Sequence, residues 1–223
     1  MWIKICANTN VEDARLAAEL GADAVGFVFA PSVRRVTADE VAPITSQLPA
    51  SLEKVGVFQS NLANDIAAIV DEAGLSAVQL HGDFELALPK KLHQLFQERI
   101  KIIQVLHWQV GSPASAAQVS QQLRQIEAEG IVDRVLIDSK VGAASGGTGV
   151  AFNWVEASAV LARAAGALKL IVAGGLRQDN VAQAIRGLNP WGVDVASGVE
   201  AAPGQKDPEK LAAFIKNARA ASR

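Results

Sequence analysis

Val135-Leu-Ile-Asp-Ser139, with Gly146-Gly-Thr-Gly149 shortly after it, is an apolar run that ends on a carboxylate and opens into a glycine-rich loop. Read as a buried strand, the run carries Asp138 to its C-terminal end, where the side chain can face a ligand. The glycines beyond it let backbone N–H groups approach an anion that side chains would hold off. The arrangement recurs at Val172-Ala-Gly-Gly175 and Val195-Ala-Ser-Gly198, each an apolar run that ends in small residues ahead of a helical pattern. Three such rims predict one shared pocket.

Working outward, short apolar runs recur at Trp2–Cys6, Ala24–Phe29, Val55–Phe58, Ala77–Leu80, Ile100–Leu106, Val135–Ile137, Leu168–Ala173 and Val193–Ala196. Between them lie segments of helical periodicity: Val11–Leu20, Ala38–Leu48, Asn64–Ala73, Phe84–Phe96, Ala116–Ala128, Val155–Ala164, Asn180–Ile185 and Glu209–Ala218. Gly21, Gly74 and Gly130 each close a helical stretch just before the next strand, as a left-handed cap requires. Eight units share 223 residues, about 28 each, and their strands are near-continuously apolar. The economical solution is an α/β fold with a closed eight-stranded parallel sheet wrapped in helices, a (βα)8 TIM barrel. A doubly wound open sheet is the fallback, but no Gly-x-Gly-x-x-Gly opens the first helix. No linker interrupts residues 1–223, which are expected to form a single catalytic domain, and the alanine-rich Leu211–Ala221 reads as a last helix that frays.

Composition narrows the function. Formal charge is −2, with Lys and Arg scattered, so neither nucleic acid nor an anionic membrane is an expected partner. No uncharged apolar run reaches the length of a membrane span and no signal segment opens the chain, which predicts a cytoplasmic protein. Cys6 is the one cysteine, and His81, His93 and His107 have no metal-ligand spacing, so no metal is expected.

In a barrel of this kind the ligand lies where strands end, and phosphate sits on the loops after the last two strands. Those loops hold Gly174, Gly175, Ser197 and Gly198. Gly146–Gly149 is expected to form a flap over the ligand, with Gly147 as a backbone contact. Strand alternation puts Leu136 and Asp138 on one face, and groups Trp2, Lys4 and Cys6 on another, with Cys6 at the top of the first strand. A cysteine there is either a small core residue or a reactive thiol. His81 and Asp194 also end strands, as structural groups or as site residues. Arg34 and Arg35, after the second strand, are either solvated charges or a fork for a substrate carboxylate.

Taken together the motifs resemble the phosphoribosylanthranilate isomerase family, the Amadori-type isomerases of tryptophan biosynthesis. The likeness rests on Lys4-Ile-Cys6, Gly26-Phe-Val-Phe29, the Ser-x-Arg of Ser32-Val-Arg34, Val55-Gly-Val-Phe58, Val78-Gln-Leu-His-Gly82, Ile137-Asp-Ser139, Gly146-Gly-Thr-Gly149, Ala173-Gly-Gly-Leu176 and Asp194-Val-Ala-Ser-Gly-Val-Glu200 ahead of Lys206-Asp207. The resemblance implies conversion of N-(5-phosphoribosyl)anthranilate into 1-(2-carboxyphenylamino)-1-deoxyribulose 5-phosphate, with no cofactor, in a monomer or homodimer. By motif, Cys6 is the general base, Asp138 the general acid, Arg34 the holder of the anthranilate carboxylate and Asp194 a substrate contact. A thiol acting as base near neutrality calls for a lowered pKa, and Lys4 on the same face is the expected cause.

Two departures stand out: the family usually continues Cys-Gly-Leu-Thr where this chain has Cys6-Ala-Asn-Thr9, and Val33 replaces a common proline. A barrel isomerase of the ProFAR type, which resembles this chemistry with a pair of aspartates, and a phosphosugar-binding barrel without turnover are the competing readings. Cys6 in the base position weighs against the first, and the retention of Cys6, Asp138 and Arg34 against the second.

Overall fold

The computed structural model describes residues 1–141, 144–145, 153–164 and 166–222. Strands and helices alternate along the chain as β1 (Trp2–Ile5), α1 (Val11–Glu19), β2 (Ala24–Val28), α2 (Ala38–Thr45), β3 (Glu53–Phe58), α3 (Ala63–Glu72), β4 (Ala77–Leu80) and α4 (Ala87–Phe96). They continue as β5 (Lys101–Gln109), α5 (Ala114–Glu129), β6 (Arg134–Val141), α6 (Trp154–Ala164), β7 (Lys169–Val172), α7 (Val181–Leu188), β8 (Gly192–Val195) and α8 (Pro208–Ala221). Each strand is bonded in parallel to the next, and β8 to β1, so the sheet closes into the expected barrel. A two-residue strand, Ala144–Ser145, pairs antiparallel with the end of β6, and a hairpin of Glu200–Ala202 with Gln205–Lys206 follows β8. Gly147 and the rest of the expected flap lie outside the described residues.

The strand alternation produces two cores. Ile3, Ile5, Val135 and Ile137 face outward into the apolar layer beneath the helices. Ala24, Val55, Ala77, Ile103, Val105, Leu136, Ile171 and Ala173 fill the barrel interior. Helix ends follow local chemistry. The Asn10 side chain accepts from the Asp13 N–H at 2.8 Å to start α1, and Asp207 caps α8, with Pro208 in the first position. Gly21, Gly74 and Gly130 have φ of +93°, +61° and +66°, the left-handed conformation expected of them.

The N-terminal end of the barrel is plugged by charge and aromatic rings. Trp2 and Trp191 stack with centroids 5.4 Å apart, and the Arg134 guanidinium sits 4.9 Å from each ring. Glu53, first residue of β3, binds Arg134 at 2.5 Å. The last helix runs to Ala221, and Arg219 near its end donates to the carbonyls of Met1 and Gly21 and pairs with Asp23 at 2.7 Å. Among the described residues, no helix is long and apolar enough to cross a membrane.

The plug lies at the end of the barrel away from the strand C-termini, so it should govern stability and not turnover. Arg134→Ala leaves Glu53 without its partner and Trp2 without its cation, while Trp191 keeps only Lys169, at 5.3 Å. It is expected to cost about 2–4 kcal/mol in urea unfolding while kcat/KM stays at the wild-type level. A variant of unchanged stability, or one with impaired turnover, would contradict this division of labour.

Candidate active site

Cys6 follows the last residue of β1 and is held on three sides. Its N–H donates to the Val195 carbonyl at 2.8 Å, and its own carbonyl accepts from Lys206 Nζ at 2.6 Å. The third restraint is Gly26 on β2. A Cβ there would lie 2.7 Å from Cys6 Sγ and 2.9 Å from Lys4 Cε, so only glycine admits the thiol and the lysine together. The next residue, Ala7, has φ of +62°. An L-residue in that region costs about 1–2 kcal/mol, which explains the glycine usual in this motif. Asn8 offsets the strain: its N–H donates to the Gly26 carbonyl at 2.9 Å, and its amide Nδ2 to the Ile5 carbonyl at 2.8 Å. Ala7 thus takes the left-handed conformation for which a glycine is suited.

Below the thiol lies a buried ion pair. Lys4 and Asp194 face each other in register on β1 and β8, with Lys4 Nζ donating to Asp194 Oδ1 at 2.8 Å. Burial opposes the charge on Lys4, yet Asp194 and Cys6 together outweigh it and hold the lysine pKa above its ordinary value. For Cys6 the balance goes the other way. Burial pushes the thiol above its ordinary pKa, Asp194 adds to this, and Lys4 and Lys206 recover only part. The expected lowering by Lys4 is therefore corrected: the lysine acts as anticipated, but desolvation exceeds it.

Asp138 extends from β6, three strands around the barrel from β1, so thiol and carboxyl face each other across the mouth. Burial and the charge of Asp194 raise its pKa to about 7, against which the Ser139 N–H and Lys4 act weakly. A carboxyl in that state holds a proton near neutrality and can donate it. By linkage, this group favours the folded state below its unfolded pKa of about 4, and that contribution is lost as pH rises through 7. His81 Nε2 lies 3.7 Å from Asp138 Oδ2.

Arg34 lines the same pocket, and Arg35 is exposed. Glu200 grips the Arg34 guanidinium through Nε at 2.9 Å and Nη2 at 2.7 Å, which fixes the fork and leaves its other edge for a ligand. Glu200 also pairs with Lys206 at 3.2 Å. Burial opposes the carboxylate, but Arg34 and Lys206 prevail and lower its pKa. The opposite wall is backbone: Gly174 and Gly175, at φ of +80° and +66°, and the single 3-10 turn of Ser197–Val199. A Cβ on Gly198 would fall 1.9 Å from the Leu176 carbonyl, and one on Gly174 2.1 Å from Ser139 Oγ. Glycine is what lets these loops close on one another.

The structure thus brings Cys6, Arg34, Asp138, Gly174, Gly175, Asp194, Ser197 and Gly198 to one pocket, as the strand-end pattern predicted. Sequence reading missed Glu200, Lys206 and Gly26 as parts of the site. Glu200 and Lys206 stood inside quoted motifs, but a partner 166 or 200 residues away leaves no local signal.

Against known proteins, residues 3–217 match the family described as N-(5'phosphoribosyl)anthranilate (PRA) isomerase. The N-(5'-phosphoribosyl)anthranilate isomerase of Pelobacter propionicus is 40% identical over 218 residues, which cover 97% of this chain and 95% of that protein. Among solved structures, phosphoribosyl anthranilate isomerase from Thermotoga maritima superposes with a TM-score of 0.84 at 35% identity, covering 99% of both chains. A phosphoribosyl anthranilate isomerase in complex with reduced 1-(o-carboxyphenylamino)-1-deoxyribulose 5-phosphate does so with a TM-score of 0.80 at 34% identity, again over 99% of both. A barrel of the expected topology, an acid and a thiol facing each other across its mouth and a full-length family match agree, and the chain belongs to the N-(5'-phosphoribosyl)anthranilate isomerase family.

Proposed function

We propose that this barrel isomerises N-(5-phosphoribosyl)anthranilate to 1-(2-carboxyphenylamino)-1-deoxyribulose 5-phosphate, with Asp138 as general acid and Cys6 as general base. The observation that carries the assignment is the carboxyl of Asp138, held protonated to about pH 7 by burial and by Asp194, opposite a thiol flanked by Lys4 and Lys206. Asp138 donates to the furanose oxygen, the ring C–O bond breaks, and the nitrogen lone pair forms an iminium at C1′. The iminium acidifies the C2′–H, which the Cys6 thiolate removes. The electron pair neutralises the iminium and gives an enolamine, which tautomerises to the ketone. Burial favours the carboxylic acid of Asp138 but disfavours the Cys6 thiolate, so the reactive combination of the two is a minor protonation state at neutral pH, and Lys4 keeps it accessible.

Recognition of the substrate's two ends follows the same geometry. The open edge of Arg34, fixed by Glu200, takes the anthranilate carboxylate, and the backbone at Gly174, Gly175, Ser197 and Gly198 takes the 5′-phosphate. Asp194 contributes through Lys4 and through the charge it imposes on Asp138. Gly147, outside the described residues, stands as a further backbone contact in this reading.

The direct test is conversion of N-(5-phosphoribosyl)anthranilate to the ketose by the purified chain, together with growth of an isomerase-deficient tryptophan auxotroph carrying it. Cys6→Ser and Asp138→Asn should each lower kcat by about three orders of magnitude or more while the reduced product analogue still binds, since they remove a proton carrier and little contact area. Near-native turnover in Cys6→Ser would assign the base elsewhere.

Arg34→Ala should lower kcat/KM about ten- to a hundredfold, mainly through KM, because a charge-assisted fork contributes about 1.5–3 kcal/mol. Arg35→Ala should match wild type. The reverse order would place the carboxylate on the wrong arginine.

A further inference from the structure

His107 has no part in the isomerisation described above, yet it stands beside the acid. It lies opposite Asp138 in register on the neighbouring strand β5, while His81 follows the end of β4. Three adjacent strands thus aim two imidazoles and a carboxylate at one place. One ligand atom from each residue lies within 4.8 Å of the others, and the two rings meet edge-on with centroids 5.2 Å apart. Sequence spacing hid this set, since the ligands come from separate βα units instead of one short motif.

We propose that His81, His107 and Asp138 form a binding site for a divalent ion of the zinc class, and that such an ion inhibits the isomerase by occupying its acid. Imidazole nitrogen and carboxylate oxygen are the donors zinc takes, and three protein ligands with a fourth position open to the pocket is a common set. Metal–ligand bonds of about 2.0–2.1 Å put tetrahedral ligand atoms roughly 3.3 Å apart, so the side chains must draw together by about 1.5 Å at most, within reach of small torsional changes. Local charge favours the ion: among the described residues, the charges of Asp138 and Asp194 are met by Lys4. An ion on Asp138 takes the lone pair that would carry the proton, so ring opening stops. The inhibition rests on Asp138 being the acid; the binding does not.

The test uses zinc and cobalt with the intact chain. Calorimetry should show one zinc ion bound per chain with micromolar or tighter affinity, zinc should abolish turnover, and a chelator should restore it. His107→Gln should turn over as wild type but bind zinc at least about tenfold more weakly, as loss of a ligand demands. The cobalt complex should show tetrahedral d–d bands without thiolate charge transfer. Unchanged zinc affinity in a folded His107→Gln, a cobalt–thiolate band placing the ion on Cys6, or binding only at millimolar zinc would each overturn the proposal. Because calorimetry reads the ion and not the reaction, zinc that binds without inhibiting would refute the inhibitory role while the site itself stands.

Discussion

The buried pair of Lys4 and Asp194 is the constraint from which the chemistry of the pocket follows. A lysine with no exposed surface is tolerable only when paired, and the register between β1 and β8 supplies the partner at 2.8 Å. With Lys4 committed to Asp194, Asp138 stays buried near an anion that the lysine offsets only in part, which is the condition for a carboxyl that keeps its proton to about pH 7. Two aspartates on strand ends of one barrel are thereby set apart, Asp194 as the counter-ion of Lys4 and Asp138 as a carboxyl suited to the proposed role of acid.

The same pair governs the thiol. Lys4 stands between Cys6 and Asp194, so it favours the thiolate while its partner disfavours it, and burial tips the sum toward the protonated form. A thiolate formed under those conditions is scarce but strongly basic, which suits the proposed removal of a carbon-bound proton. Around it the scaffold is assembled from distant segments. Lys206 ties the hairpin after β8 to the Cys6 carbonyl, Glu200 links that lysine to Arg34, and Gly26 clears the space the thiol occupies. Cys6 and Arg34, the proposed base and the proposed carboxylate holder, are thus braced by one network.

Most of the fold was legible because eight apolar runs of similar length, separated by periodic segments and closing glycines, admit few architectures. That Leu136 shares a face with Asp138, and Trp2 and Lys4 with Cys6, followed from the period of a strand alone. What stayed hidden depended on summed or distant effects. The direction of the Cys6 shift required weighing desolvation against Lys4, and burial depth is not written in a sequence. The Arg134 plug between Trp2 and Trp191, the Arg219 clamp on the N-terminus and the meeting of His81 with His107 all join residues far apart in the chain. The glycine expected after Cys6 was the reverse case: the backbone does adopt the left-handed region, and this chain accepts it with alanine.

The most direct measurement is a carbon-13 NMR titration of the Asp138 carboxyl, assigned by comparison with Asp138→Asn. The account predicts a midpoint near pH 7, set by burial and by the charge of Asp194. A midpoint near the ordinary aspartate value of about 4 would show a carboxylate already ionised at neutral pH, and Asp138 could not then be the acid that opens the ring.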